Sequence, residues 1–354
     1  MAYRAELTDV AANGADELMR IWRDNLPVRG AVEAKRRWAY LDAPTGPSEA
    51  MVVRVDGGAA VGCAGIERRE LWCRGQPLAA ALLADFAIDR SHRIGLPAVL
   101  LQRAVQRHVE PRFDLSYGFP NRGAVAIHLR TGYHELGKMG RYVRPLRFGR
   151  YVRRRITQPA IAAVATAVID PAAHAAGWLA GLPSHRAYAL TWLDDVDARF
   201  DALWARAAPT LPIACRRDAA LLRWRFLRAP GDRCQIAALI ARDDDRVAAY
   251  AIVRDGDGAT AGMAELVDLL GEGPDALDAL FDQLVPALTA RGYDAATIRF
   301  LGTPAIVGLL TRHRFVAREP DRSIIVRPTA RCPIAAEVVR DARAWYLTDL
   351  DEDT

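Results

Sequence analysis

The sequence predicts an α/β protein assembled from two copies of one module, and three observations carry that expectation. Runs with a period of two alternate with runs of helical period along most of the chain. The stretch Trp38-Ala39-Tyr40-Leu41-Asp42-Ala43-Pro44 returns as Trp224-Arg225-Phe226-Leu227-Arg228-Ala229-Pro230, a W-x-aromatic-L-x-A-P motif at an offset of 186, and the elements after it return in the same order. Residues 82–109 read as strand, basic turn and helix, a unit suited to holding an anion. At 354 residues the chain exceeds one comfortable core, so two domains are expected.

In order, residues 13–26 form a helix with Leu18, Ile21, Trp22 and Leu26 as its buried stripe, and residues 31–41 form a second that stops at Asp42-Ala43-Pro44-Thr45-Gly46-Pro47. Residues 51–55 and 59–66 flank Asp56-Gly57-Gly58 as a hairpin. Residues 82–88 alternate as a half-buried strand, with Leu82, Ala84, Phe86 and Ile88 on one face and Leu83, Asp85 and Ala87 on the other. From Pro97, at a first helical position, Leu100, Leu101, Ala104, Val105, His108 and Val109 recur at helical spacing, with Gln102, Arg103, Gln106 and Arg107 on the wet face. A strand at 113–119, a short helix at 122–130 and terminal strands through Leu146 complete the first copy. The second runs through a hairpin (236–253), a strand (263–270), a helix (275–290), a strand (295–301) and a short helix (304–313), with Phe315 182 residues after Tyr133. Beyond Pro328 the chain reads as a tail with a helix at 334–346 and an acidic end.

Composition narrows the function class. With 51% hydrophobic and 26% charged residues the chain is neither disordered nor membrane-spanning in character. The net charge of +5 is small and nearly all arginine, Lys35 and Lys138 being the only lysines, and no basic face is interleaved with aromatics, so nucleic acid is not an expected partner. Five scattered cysteines, Cys63, Cys73, Cys215, Cys234 and Cys332, show no metal-ligand spacing and fit a reducing cytoplasm; the first residues show no secretory pattern. Residues 147–155, RFGRYVRRR, precede an alanine-rich stretch that Asp170, Pro171 and His174 interrupt. It reads as an interdomain linker helix, with weak contact to an anionic membrane surface as the alternative. Walker, HExxH and GxSxG patterns are absent, which leaves phosphoryl transfer, zinc proteolysis and serine hydrolysis unsupported.

The turn between strand and helix contains Arg90, Ser91, His92, Arg93, Ile94, Gly95 and Leu96. Free N–H groups at the helix start, with flanking arginines, make it a phosphate or pyrophosphate cradle; the alternative is an ordinary loop with solvated arginines. In the second copy the corresponding turn, Gly271-Glu272-Gly273-Pro274-Asp275, is acidic and repels such a ligand.

These parts in this order resemble the GNAT N-acetyltransferase superfamily, across residues 1–148 and more faintly 184–328. In the family's Arg/Gln-x-x-Gly-x-Gly/Ala turn, Arg93 and Ala98 match, Leu96 stands at the first glycine and Gly95 precedes it. In its second signature Asn121, Ala124, Arg130, Gly132 and Tyr133 fall in register, with His128 where the family carries tyrosine. The resemblance implies two tandem GNAT-like domains, each a mixed, mostly antiparallel sheet flanked by helices and splayed at the acyl-coenzyme A site: 1–148, a linker at 149–183, a degenerate copy at 184–328, and a tail at 329–354. It implies acetyl-CoA or another acyl-CoA as co-substrate, no metal, and direct transfer to a primary amine. Its pyrophosphate would meet Arg90, His92, Arg93, Ile94, Gly95, Leu96, Pro97 and Ala98, and its acyl carbonyl the backbone of Phe86, Ala87 and Ile88, with Asn121 and Ala124 close by. His128 would protonate the departing thiolate, and Asp85 or Glu67 would serve as base. The acceptor is expected to be a small-molecule amine or amino sugar, with an amino acid or a protein N-terminus also open, and the second copy is expected to shape the substrate site or a homodimer interface. A non-catalytic acyl-CoA sensor or assembly module is the alternative.

Overall fold

The computed structural model describes residues 2–11, 15–28, 30–56, 58–93, 95–147, 186–231 and 233–353, so the expected linker at 149–183 lies outside the described residues. The first half runs β1 (Tyr3–Thr8), α1 (Ala15–Asn25), α2 (Val32–Arg36), a π-helical turn (Arg37–Leu41), β2 (Glu49–Val55), β3 (Ala60–Cys73), β4 (Gln76–Ile88), α3 (Leu96–Val109), β5 (Leu115–Gly118), α4 (Arg122–Arg130) and β6 (His134–Pro145). The second half supplies β7 (Tyr188–Leu193), β8 (Ile213–Cys215), β9 (Cys234–Ala241), β10 (Val247–Asp255), β11 (Met263–Gly271), β12 (Ala295–Gly302), β13 (Val316–Pro328) and β14 (Trp345–Leu347), with helices Pro274–Ala290 and Pro304–Arg312 on either side of β12.

All strands join one sheet in the order β1-β2-β3-β4-β5-β13-β6-β12-β11-β10-β9-β7, with β8 and β14 forming a second bridge from β3 to β12. Pairing is antiparallel except at β4/β5, β11/β12 and β8/β14. The last long strand of each half crosses to the other: β13 pairs β5, and β6 pairs β12. Each half therefore completes its partner's sheet. The repeated tryptophans mark the same relation, because each indole N–H donates to the other's carbonyl at 2.8 Å and the rings stack with centroids 4.7 Å apart. Both polar handles are satisfied inside the core, where such a ring pair adds about 0.5–1.5 kcal/mol beyond its buried area. One apolar cluster draws residues from both halves, from Leu18 and Trp22 to Trp224, Tyr250 and Trp345.

Several expectations change. The β3 strand runs on to Cys73 and turns through Arg74 and Gly75 (φ 49° and 84°) into β4, a two-residue hairpin with the left-handed pair that twisted strands favour. β4 is buried on both faces rather than half-buried, and its alternation breaks at a bulge: β3 pairs Gly65 with Ala84 but Cys63 with Ala87, and Asp85 takes φ 52°. As a result Leu82 shares a cluster with Ala87, and Leu83 with Ile88. Gln102 is buried, not on the wet face, and Leu96 precedes Pro97 in α3. The tail is no long helix: a short turn of helix (Ala336–Val339) leads to β14, whose aromatics need a sheet to cover them, and Asp349, Asp351 and Glu352 are buried. Among the described residues no helix is long and apolar enough to cross a membrane.

Candidate active site

β4 and β5 pair in parallel only as far as Leu83 and Gly118; β4 then runs on to Ile88 with β3 as its one remaining neighbour. The chain opens there onto a cavity of about 1160 Å3. Its near wall brings together Asp85 and Phe86 of β4 with Asn121, Ala124 and His128 of α4, five of the residues singled out in the sequence. Its far wall is charged and comes from elsewhere: Arg225, Arg254 and Arg299 from the second half, Arg322 from β13, and Asp349, Glu352 and Asp353 from the tail.

Outside the splay lies the basic turn. Gly95 takes φ 87° at the N-cap of α3, and a Cβ there would meet nothing within 4 Å, so the helix start faces open space. Pro97 has no N–H and Val99 donates to the Gly95 carbonyl, which leaves the Leu96 and Ala98 amides in the first turn. Arg93 folds back, donating to the Ile88 carbonyl (2.8 Å) and Asn25 (3.0 Å), and His92 meets the Tyr3 hydroxyl, so both brace the turn while Arg90 is exposed. Ile94 lies outside the described residues. Ala87, Ile88, Pro97 and Ala98 are buried, and Leu96 is exposed.

His128 is buried between Phe86 (5.3 Å) and Tyr133 (5.5 Å). Its Nδ1 lies 2.9 Å from the Ala124 carbonyl, which can only accept, so Nδ1 carries the proton and the neutral ring keeps a lone pair at Nε2. Burial holds its pKa below the ordinary histidine value, favouring that neutral form. Asn121 caps α4, accepting from the Gly123 and Ala124 amides at 3.0 Å each.

The carboxylates divide. Asp85 is buried, with Oδ1 2.6 Å from Lys35 Nζ and Oδ2 2.7 Å from the Tyr40 hydroxyl. Tyr40 reaches it over Gly65, where a Cβ would come within 2.1 Å of the hydroxyl, so only glycine fits there. Burial pulls the Lys35 pKa down, but Asp85 outweighs it and the ammonium is held above its usual value. Glu67 accepts from Arg69 at 2.7 Å away from the cavity lining, and burial, opposed by Arg69, leaves its pKa at about 7. Burial and then Asp349 push Glu352 up to about 8. Asp353 is raised by burial and then by Asp85.

No protein-family model matches the sequence, and no curated protein matches it; solved structures do. A GCN5-related N-acetyltransferase from Anabaena variabilis superposes with a TM-score of 0.64 at 16% identity, covering 92% of this chain and 73% of that one. Another from Kribbella flavida gives 0.61 at 17%, covering 92% and 72%. The N-myristoyltransferase of Saccharomyces cerevisiae, solved with bound myristoyl-CoA, gives 0.54 at 11%, covering 92% and 83%. This chain has the GNAT fold.

Within that fold the second half has its own splayed pair, since β11 and β12 part after Leu266 and Ile298. That opening is filled. β14 pairs with Leu301 and Gly302 of β12, and the Tyr346 hydroxyl donates to the Leu269 carbonyl of β11 at 2.8 Å. The acidic turn beyond it is committed too, Glu272 pairing with Arg206 (3.0 Å) and Arg246 (3.2 Å). Sequence reasoning missed the far wall and Lys35. A buried lysine in a chain with only two was a usable signal, but four arginines among dozens carried none.

Proposed function

We propose that this GNAT-fold chain transfers an acetyl or other acyl group from acyl-CoA to a primary amine by direct attack. The observation that carries the reading is the open β4/β5 splay leading into a large cavity walled by proton-handling groups. Acyl-CoA, when bound, supplies an acyl group activated as a thioester. The turn at Arg90–His92 and the free amides of Leu96 and Ala98 suit its pyrophosphate, with Arg93 and His92 holding the turn in shape. The β4 backbone from Phe86 to Ile88, unpaired toward β5, offers donors to an acyl oxygen.

Asp353 takes one proton from the acceptor's ammonium, its raised pKa suiting exchange nearer neutrality. As the amine nitrogen forms its bond to the acyl carbon and the C–S bond breaks, Nε2 of His128 takes the second proton and returns it to sulfur. A neutral histidine with a free lone pair can do both. Glu67, paired to Arg69 off the cavity, is a supporting charge. The two-signed far wall suits a small polar amine or amino sugar, with the second half supplying part of its pocket. We place the domain limits at 1–148 and 184–328 and the protein in the cytoplasm.

Calorimetric titration with acetyl-CoA tests the reading. Micromolar binding, lost in Gly95→Glu, which puts a carboxylate at the helix start, and an amine product that fails to form in His128→Ala, are expected. A folded protein that binds neither acetyl-, longer acyl- nor free coenzyme A overturns it.

A further inference from the structure

The sequence made Asp85 a candidate base, yet its surroundings suit a different task. Both carboxylate oxygens are committed, to Lys35 and Tyr40, in a buried setting. Its backbone sits at φ 52°, a left-handed conformation that an L-residue adopts at a cost unless its neighbours enforce it. It forms part of the β4 bulge, two residues beyond the last pair with β5, where the strand's alternation reverses. Asp85 has no partner in the β3/β4 register and stands with Asp353 in the cavity wall.

The second half holds an internal control. Asp268, two residues beyond the last β11/β12 pair, is clamped in the same way, with Arg217 Nε at 3.1 Å and the Tyr250 hydroxyl at 2.7 Å. Asp268 is not in the left-handed region, and its cleft is filled by β14. The clamp occurs in both halves, and the left-handed backbone only where the cleft is open.

We infer that Asp85 is a positioning residue: Lys35 and Tyr40 clamp its side chain so that β4 keeps a left-handed bulge, and the bulge presents the backbone of the open splay to the acyl group. The inference rests on the acyl-transfer reading and sharpens it by removing Asp85 from the proton chemistry.

Two substitutions at one position separate backbone from side chain. Glycine enters the left-handed region freely, whereas alanine keeps the steric cost and lacks the clamp. At an ordinary strand position glycine is the worse of the two, so the reverse order is diagnostic. In the full chain, Asp85→Gly is expected to melt above Asp85→Ala and to bind acetyl-CoA within about threefold of wild type, with alanine losing about tenfold or more. Asp85→Gly is also expected to keep the acid limb of the kcat pH profile. Tyr40→Phe, a milder loosening of the clamp, should raise the KM for acyl-CoA with kcat and its acid limb unmoved. Asp85→Gly with wild-type KM, kcat down about a hundredfold and the acid limb gone would make the carboxylate the base and overturn the inference. So would alanine melting and binding at least as well as glycine. Should wild type bind no coenzyme A, the acyl-transfer reading fails by itself, and the order of the two melting temperatures still decides the clamp.

Discussion

The two splayed strand pairs, β4/β5 and β11/β12, are built to one plan and put to different uses. In each, two parallel strands part after four paired residues, and an aspartate two residues on is clamped by a buried cation and a tyrosine. At β4/β5 the gap opens on a cavity and the turn ahead of the helix is basic. At β11/β12 the chain's own β14 lies in the gap, a Cβ on Gly302 would come within 2.0 Å of the Trp345 carbonyl, and the turn is acidic. A splay is an unsatisfied edge, since its freed N–H and C=O groups need partners. One half leaves them open onto a cavity and the other meets them with protein.

The sharpest way to break this comparison is to remove the two buried cations. Arg217 faces both Asp268 and Asp351, each at 3.1 Å, so Arg217→Met strips two buried carboxylates of their shared cation and is expected to cost about 3–5 kcal/mol in chemical denaturation. Lys35→Met should cost less, because only one carboxylate, Asp85, loses its cation. The reverse order would mean that the filled cleft is not the more tightly built one.

Tyr346→Ala, which thins the plug, is expected to cost about 3–5 kcal/mol, as truncation of a buried aromatic does, while calorimetry still finds one coenzyme site per chain because the acidic turn remains. A second site would show that β14 alone closes the cleft.

A smaller effect concerns the tail acids between the clefts. Glu352 has its folded pKa raised from 4.5 to about 8, so the folded state binds the extra proton between those values. Its contribution is complete below pH 4.5 and is lost as pH rises through about 8. Glu352→Gln should therefore flatten the fall in melting temperature between pH 5 and pH 9, and an unchanged slope would place the linkage elsewhere. Smallest is His128, whose folded pKa lies below the ordinary 6.5. Stability present above pH 6.5 is lost as pH falls below it, and His128→Phe should remove that part of the acid slope in a pH series of melts.

Element order was legible over most of residues 15–145 and 234–313 because hydrophobic period is a local property, whereas β1, β7, β8 and the tail strand were not. The helices at 15–25, 122–130 and 274–290, the hairpins, and the W-x-aromatic-L-x-A-P repeat all stand close to where the pattern placed them. The site was legible in part. Asp85, Phe86, Asn121, Ala124 and His128 do share one cavity, since a strand and the helix after its neighbour carry them together. The bulge escaped detection because one extra residue in a strand leaves period-two reading plausible on either side. Arg225, Arg254, Arg299 and Arg322 escaped because nothing in their neighbours distinguishes an arginine that lines a cavity from the many solvated ones.

The sequence by itself determined the mixed α/β character, the doubling of the module, and the contrast of charge between the two turns, each of which depends only on residues near one another in the chain. Tertiary structure alone decided that β6 and β13 change places, that a tail with an acidic end becomes a strand in one cleft and a wall of the other, and that a carboxylate on the open strand is clamped by Lys35 and Tyr40. The physical reason is common to all three. Unpaired backbone edges and buried charges must be satisfied somewhere, and the groups that satisfy them here lie dozens of residues away in the sequence.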